Sequence, residues 1–420
     1  MPISGKRMMT LLDKLAFERL APFDSEKKGA AILAEEITAL GLTPTYESFP
    51  VPAREIKTAR FEITEPFYKE IECTGYGFAG NNAKDGIEAE FVYIEGLEPI
   101  DLVEVKGKIV LITCGLSVSG YEALVKAGAV GFVATAGTVF DKNSETDLDE
   151  RMLRDVHIEH GKLPGVCIRV KDALAMMKKH PTRARLTLAQ EEWEGESQNV
   201  ITEIKGSKYP DEVVVYTAHY DTVRFSKGYF DNSTGCAMVM ELMRHYTENP
   251  PLRTVRFIFC GAEERGLYGS KAYVAAHEEE LKNIRLCINL DMAGPVLGRE
   301  MANVTAEESL CHALTFIYKE VGYPMVVRQD IYSSDSIPFA DKGVPGINFF
   351  RSASPGTSRI HCRYDVKEIL SGESLAKTTG FVKFFSDKVV NAAFFPIERK
   401  MPDNMVEKLD RYLLKKKDKK

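Results

Sequence analysis

The sequence predicts an α/β protein built on a mixed, mainly parallel sheet flanked by helices, with a β-rich region inserted into it. Three observations carry this reading. After Ser197, continuous apolar runs of strand length alternate with amphipathic helical segments, the pattern of a parallel sheet covered on both faces. From about Phe61 to Gln190 the texture changes to short strands and glycines around one helix. The 420 residues also exceed what one small core needs, leaving room for two domains or for one domain carrying a large insertion.

The elements follow in order. Apolar spacing from Met8 to Leu20 predicts a first helix, and Asp24-Ser25-Glu26 offers a capped start for a second, Lys27 to Leu40, that stops at Gly41. Thr43 to Val51 reads as an exposed strand. In the insertion, strands are expected at Lys108–Thr113, Ala129–Ala134, Leu163–Val170 and Ala184–Leu188, with a helix over Tyr121–Ala127. Beyond it come strands at Val200–Ile204, Val213–Thr217, Val255–Cys260, Leu286–Leu290 and Gly346–Phe350. Helices are expected at Gly235–Tyr246, Ser270–Leu281, Glu307–Val321 and Lys377–Asn391. The limits that result are 1–62 with 192–398 for the main domain, 63–191 for the insertion and 399–420 for a charged tail.

Composition narrows the class. Hydrophobic content of 44% and charged content of 28% are those of an ordinary soluble globular protein. A net charge of −6 argues against a nucleic-acid binder, which needs a basic surface. Met1 to Lys28 is interrupted by Lys6, Arg7, Asp13, Lys14, Glu18 and Arg19, unlike a secretory signal. No apolar window is long enough for a bilayer. Eight cysteines without CxxC spacing read as reduced thiols in a cytoplasmic protein. Nothing in the sequence signals an oligomeric state.

The chemistry lies where ionisable residues fall relative to the strands. Val213–Thr217 delivers His219 and Asp221 just past its carboxyl end, Val255–Cys260 delivers Glu263 and Glu264, and Leu286–Leu290 delivers Asp291. Asp231 precedes the Gly235–Tyr246 helix. In an open α/β sheet, ligands bind in the crevice beyond the carboxyl ends of the strands. Each residue alone is unremarkable: an acidic pair is common in a chain with 61 acids, and an Asp before a helix is commonly an N-cap. Their conjunction at one sheet edge is what points to a divalent metal.

These residues stand in motifs that resemble a known family. His219-Tyr220-Asp221, Phe230-Asp231-Asn232-x-x-Gly235, Gly261-Ala262-Glu263-Glu264-x-Gly266-x-x-Gly269-Ser270 and Asn289-Leu290-Asp291-Met292 look like the ordered motifs of co-catalytic zinc aminopeptidases, metallopeptidase family twenty-eight. Ser334-Asp335-x-x-Pro338-Phe339 with Gly343-Val344-Pro345 is similar to a later loop of that family, and His361-x-x-x-Asp365 to its final ligand motif. That family includes leucyl-type aminopeptidases, aminopeptidase Y and glutamate carboxypeptidase. The resemblance covers Gln198 to about Asp365 and the N-terminal helix. It implies the phosphorylase/hydrolase-like zinc exopeptidase fold. Within the insertion, Lys106-Gly107-Lys108-Ile109-Val110-Leu111 followed by Ala123 to Val133 looks like a protease-associated domain.

The resemblance implies a role for each motif residue. Asp231 would bridge two zinc ions, with His219 and Asp291 completing one site and Glu264 and His361 the other. Glu263 would be the general base, Asp221 would orient His219, and Tyr332 is a candidate contact for the substrate oxyanion. Cobalt or manganese could replace zinc at such donors. Ser336, Cys362 and Val366 depart from the family pattern without removing a ligand. The other histidines (His157, His160, His180, His245, His277 and His312) read as ordinary. The implied activity is removal of residues from peptide N-termini. Alternatives are a carboxypeptidase, for which Arg299, Arg328, Arg351, Arg359 or Arg363 could hold the substrate carboxylate, an acyltransferase such as a glutaminyl cyclase, or a non-catalytic receptor-like protein.

Overall fold

The apolar runs after Ser197 form strands because nearly every position in them meets a core on one face or the other. In the computed structural model, which describes residues 2–82, 84–142, 147–148 and 151–415, the strand Tyr209–His219 sends Val214, Tyr216 and Ala218 into one core and Val213 and Val215 into another. Arg253–Cys260 divides likewise: Val255, Phe257 and Phe259 on the first side, Ile258 and Cys260 on the second. Period-two side chains with both faces buried leave few polar positions, hence the mainly apolar runs.

The chain forms two compact units, Met1–Val51 with Gly195–Lys420, and Pro52–Glu194. In the first, the strand order is Val326–Gln329, Gly298–Thr305, Gly346–Ala353, Ile284–Leu290, Tyr209–His219, Arg253–Cys260 and then the segment ending at Ile204. The four strands from Gly346–Ala353 to Arg253–Cys260 are parallel, and their outer neighbours run antiparallel to them. From Tyr209–His219 the chain crosses to Arg253–Cys260 on one side, then returns to Ile284–Leu290 on the other. The direction of winding therefore reverses beside His219, which opens a crevice at the carboxyl ends.

A buried polar ladder fixes the level of those ends. Thr217 Oγ1 donates to Asn289 Oδ1 at 2.7 Å, and Asn289 Nδ2 donates to Asn348 Oδ1 at 2.6 Å. The three residues lie opposite one another on adjacent strands. A slip of one residue would leave these groups buried and unpaired, so the ladder specifies the register.

Helices Gly5–Lys14, Thr234–Glu248 and Gly372–Val390 contribute to one core. On the opposite face, Tyr273 and Val274 of Tyr268–Ala276 and Phe339 of Ser336–Asp341 contribute to the other. Two expectations need correction. Residues 399–420 are not simply a charged tail, because Asp403–Tyr412 is a helix whose Met405 and Leu409 are buried, Leu409 against Leu267, Ile337 and Ala340. Its two buried residues stand amid six polar ones, which hid it. The Lys416–Lys420 end of the charge run lies outside the described residues.

The unit Pro52–Glu194 is less purely β-rich than expected. Ile87–Ile94, Ile109–Ile112, Gly131–Ala136 and Gly165–Arg169 pair in parallel, and Cys73–Gly75 joins the last antiparallel. Helices Val118–Lys126, Asp155–Ile158 and Val170–Met177 complete it. The third begins directly after a strand with no Gly or Pro between, so the change of period left no mark. Among the described residues, no helix is long and apolar enough to cross a membrane.

If the last helix is a packed element, Leu409→Ala will cost about 2–5 kcal/mol and lower the urea midpoint. An unchanged midpoint would mean that the helix contributes nothing to the folded unit.

Candidate metal centre

The strand ends deliver their side chains to one point. His219 is the last residue of Tyr209–His219, Asp291 follows Ile284–Leu290 directly, and Glu263 and Glu264 follow Arg253–Cys260. Asp231 lies in the turn Tyr229–Ser233, ahead of helix Thr234–Glu248. His361 comes from the loop after Gly346–Ala353. His219, Asp231 and Asp291 form one group whose donor atoms lie within 4.8 Å of one another, and Asp231, Glu264 and His361 form a second. No other such group of three occurs among the described residues.

Asp231 belongs to both groups and divides its oxygens between them. Oδ1 is 3.1 Å from His219 Nε2, and Oδ2 is 3.1 Å from His361 Nε2. His219 Nε2 is 3.6 Å from Asp291 Oδ1, and His361 Nε2 is 3.1 Å from Glu264 Oε2. On the far side of its ring, His219 Nδ1 faces Asp221 Oδ1 at 3.4 Å, so Nε2 points into the cluster. The groups differ in access: the His219 and Asp291 side chains keep 3% and 7% of their surface, whereas His361 keeps 49%. The centre opens to solvent on the His361 side.

Buried groups behind the centre fix its backbone. Asp221 accepts the Glu263 N–H on Oδ1 at 3.0 Å and the Glu264 N–H on Oδ2 at 3.1 Å. Asp365 accepts the Phe230 N–H at 2.7 Å and the Asp231 N–H at 3.0 Å. Asn232 ties the Asp231 turn to the Asp291 strand, donating to Leu290 O and accepting from Met292 N–H. Ala262, Met292 and His361 all have positive φ without being glycine, and such backbone clusters at functional sites where surrounding bonds hold it.

Two contributors escaped the sequence reading. Arg19 is fully buried and donates to the carbonyls of Leu15, Phe17, Tyr220, Lys227 and Gly228 and to Ser233 Oγ, bracing the loop that leads into Asp231. Glu26 reads as part of a helix cap, yet the helix Asp24–Ala39 has no side-chain cap bond, and Glu26 is turned wholly inward. Its Oε1 accepts from Ser197 Oγ at 2.7 Å and from the Ala262 N–H at 3.0 Å. Glu26 falls on the buried stripe of its helix, four residues before Ala30 and seven before Leu33, so helical spacing marks it; Arg19 lies in a loop, where periodicity is silent.

Charge in the centre is lopsided. Burial opposes a proton on His361, but hydrogen bonds to Asp231 and Glu264 lift its pKa to about 11. Burial likewise opposes charge on His219, yet Glu263, Asp221, Asp231 and Asp291 raise it well above the usual histidine range. Burial and Asp231 push Glu264 up to about 7, while burial, Asp335 and Glu264 hold Glu263 well above an ordinary carboxylate. Asp231 stays below the usual range, since both histidines outweigh its burial. The cluster lacks positive charge and recruits protons to supply it, so a cation would compete for the same donors.

The donors fit a divalent ion. Among the described residues, Asp291 Oδ1 is buried with no hydrogen-bond partner, a costly state for a carboxylate oxygen unless a cation meets it. A set of imidazole nitrogens and carboxylate oxygens suits zinc, and cobalt or manganese as well. Tyr332 stacks on Phe350 with ring centroids 4.7 Å apart, and burial with the charges of Asp291, Asp231 and Glu263 raises its phenol. It therefore lies within the field of the cluster. Asp335, held by Ser270 Oγ at 2.6 Å, is a further buried acid beside Glu263.

A mainly parallel sheet that gathers histidines and carboxylates beyond its carboxyl ends is the arrangement of an α/β metallohydrolase. Residues 199–384 match the model of Peptidase family M28. The chain is similar to aminopeptidase YwaD of Bacillus subtilis (strain 168), 28% identical over 383 residues, covering 88% of this chain and 80% of that protein. It is also similar to carboxypeptidase Q of Homo sapiens, 26% identical over 334 residues, covering 73% and 69%. In fold it matches BSAP, a zinc aminopeptidase from Bacillus subtilis, with a TM-score of 0.78 at 24% identity, over 96% of this chain and 99% of that one.

If Asp365 sets the Asp231 turn, Asp365→Ala will weaken zinc binding about 10–100-fold in a chelator competition, with the circular dichroism spectrum unchanged. Wild-type affinity in that variant would remove Asp365 from the support of the centre.

Proposed function

We propose that the chain is a two-zinc aminopeptidase that hydrolyses residues from the N-termini of peptides. The reading rests on one observation: Asp231 presents one carboxylate oxygen to each of two three-donor groups. His219 and Asp291 would hold one ion, Glu264 and His361 the other, and Asp231 both. Zinc there supplies Lewis acidity, which polarises a carbonyl and brings the pKa of water towards about 7.

The remaining work falls to this chain's own side chains. Glu263 is not in either donor group; its carboxylate takes a proton from the attacking water and returns it to the amide nitrogen that leaves as an amine. General acid–base catalysis of this kind contributes about 10²–10⁴ in rate. Asp221 keeps base and ligand together by clamping both their amides. The Tyr332 hydroxyl is assigned to the carbonyl oxygen of the scissile bond, to which it would donate.

A free α-amine on the substrate would be held by a carboxylate or by a zinc ion of the centre, which would confine cleavage to N-termini. The second reading is a carboxypeptidase, favoured by the relative of that name. Of the arginines that could hold a substrate carboxylate, Arg351 is engaged by Glu300 Oε1 at 2.9 Å and by the carbonyls of Pro295 and Val296. The intact donor set speaks against a non-catalytic receptor-like protein. We further assign residues 63–191 to a protease-associated-like insertion, and place the protein in the cytoplasm on the strength of its eight free cysteines.

Aminoacyl p-nitroanilides and N-blocked peptides, offered to metal-stripped and zinc-restored protein, separate these readings. Restored cleavage of free-amine substrates alone supports the aminopeptidase; trimming of N-blocked peptides from the C-terminus overturns it. Glu263→Gln should retain zinc and lose at least about 100-fold in turnover, and full activity in that variant would exclude Glu263 as base.

A further inference from the structure

After the strand Arg253–Cys260 the chain turns through four residues whose amides all find side-chain acceptors rather than backbone ones. Gly261 N–H donates to Asn199 Oδ1 at 3.2 Å, Ala262 N–H to Glu26 Oε1 at 3.0 Å, and Glu263 and Glu264 N–H to the two oxygens of Asp221. Ala262 is the pivot of this turn. Its φ of +51° is a left-handed conformation that is unfavourable for a residue with a β-carbon and persists only where surroundings impose it. Ala262 O accepts from Tyr268 N–H at 3.2 Å, so both polar groups of its backbone are held.

The group holding the Ala262 amide is expensive to keep. Glu26 is fully buried, its Oε2 has no hydrogen-bond partner among the described residues, and burial with the charge of Asp221 pushes its carboxyl up to about 8. For packing alone, an apolar residue would serve at lower cost. The fit is also close: a Cβ added to Gly261 would meet Glu26 Oε1 at 2.9 Å. Ser197 Oγ, at 2.7 Å from the same oxygen, aims the carboxylate at the turn. A local rule broken at such cost, one residue from Glu263, marks a functional constraint.

We propose that Glu26 is a positioning residue, which through the Ala262 amide sets where the Glu263 and Glu264 carboxylates stand relative to each other. This rests on the assignment of Glu263 as base and Glu264 as ligand. Glu26 touches neither substrate nor metal. It acts by holding the pivot in its left-handed conformation, so that the base and the ligand leave the turn in fixed directions.

The experiment combines hydrogen–deuterium exchange of the Gly261–Glu264 amides in the metal-stripped full chain with steady-state kinetics of the zinc-restored protein. Glu26→Ala should speed exchange in this segment at least tenfold while the strand amides of Tyr209–His219 keep their rates. The same variant should bind zinc and lose about 10–100-fold in kcat with KM within threefold of wild type. Glu26→Gln, whose amide oxygen still accepts from Ala262 and Ser197, should restore slow exchange and most of kcat. If Glu26→Ala does not fold, Glu26→Asp, one methylene too short to reach Ala262, should show the same losses. Unchanged exchange in Glu26→Ala or Glu26→Asp, or a wild-type kcat in either, overturns the proposal. A wild-type protein inactive on every substrate would instead sink the functional reading, and the exchange result would still decide the role of Glu26.

Discussion

The carboxylate of Asp231 has to face two ways at once, with His219 at 3.1 Å on one oxygen and His361 at 3.1 Å on the other. That requirement organises what lies around it. The two histidines are 142 positions apart in the sequence and sit on different elements, so the shared carboxylate is what joins the two donor groups into one centre. Four further acids, Asp221, Glu263, Glu264 and Asp291, crowd the same space, and like charges at this density repel by several kcal/mol unless something offsets them. The fold supplies part of the offset through oriented amides: Asp221 and Asp365 each accept two backbone N–H groups. A divalent cation in each donor group would supply the rest.

Holding such a centre demands rigidity at a distance. The ladder Thr217–Asn289–Asn348 locks the register of three central strands, and the strand ends inherit that order. The loops beyond those ends are braced from the N-terminal segment. Arg19 gathers the carbonyls of the loop that precedes Asp231, and Glu26 holds the turn that carries Glu263 and Glu264. One stretch of eight residues, numbered 19–26, thus braces both ligand loops, although it contributes no donor to either group.

Much of this was legible in the sequence, and for physical reasons. The central strands are buried on both faces and read as apolar runs, and the carboxyl ends of those runs locate His219, Glu263, Glu264 and Asp291. Asp231 and His361 lie in loops, where periodicity is silent; Asp231 was noticed only by its place ahead of a helix, and His361 only through the motif resemblance. Arg19 went unread because it lies in a loop, where only tertiary contacts reveal it as buried; Glu26 was read as part of a helix cap, although its spacing from Ala30, Leu33 and Ile37 places it on the inward stripe. The strand Gly298–Thr305 was also missed: it contains Arg, Glu and Asn and is half exposed, so it lacks the apolar signature of its neighbours. The same holds for helix Asp403–Tyr412, where two buried residues among ten leave too faint a stripe.

The central claim, that one carboxylate joins two ion sites, is tested most directly by zinc stoichiometry in dialysed wild-type protein and in Asp231→Ala, measured by elemental analysis on folded samples. Two zinc ions per chain are expected in the wild type, and loss of both in the variant. Two ions retained in Asp231→Ala, or no zinc held by the wild type, would contradict that claim.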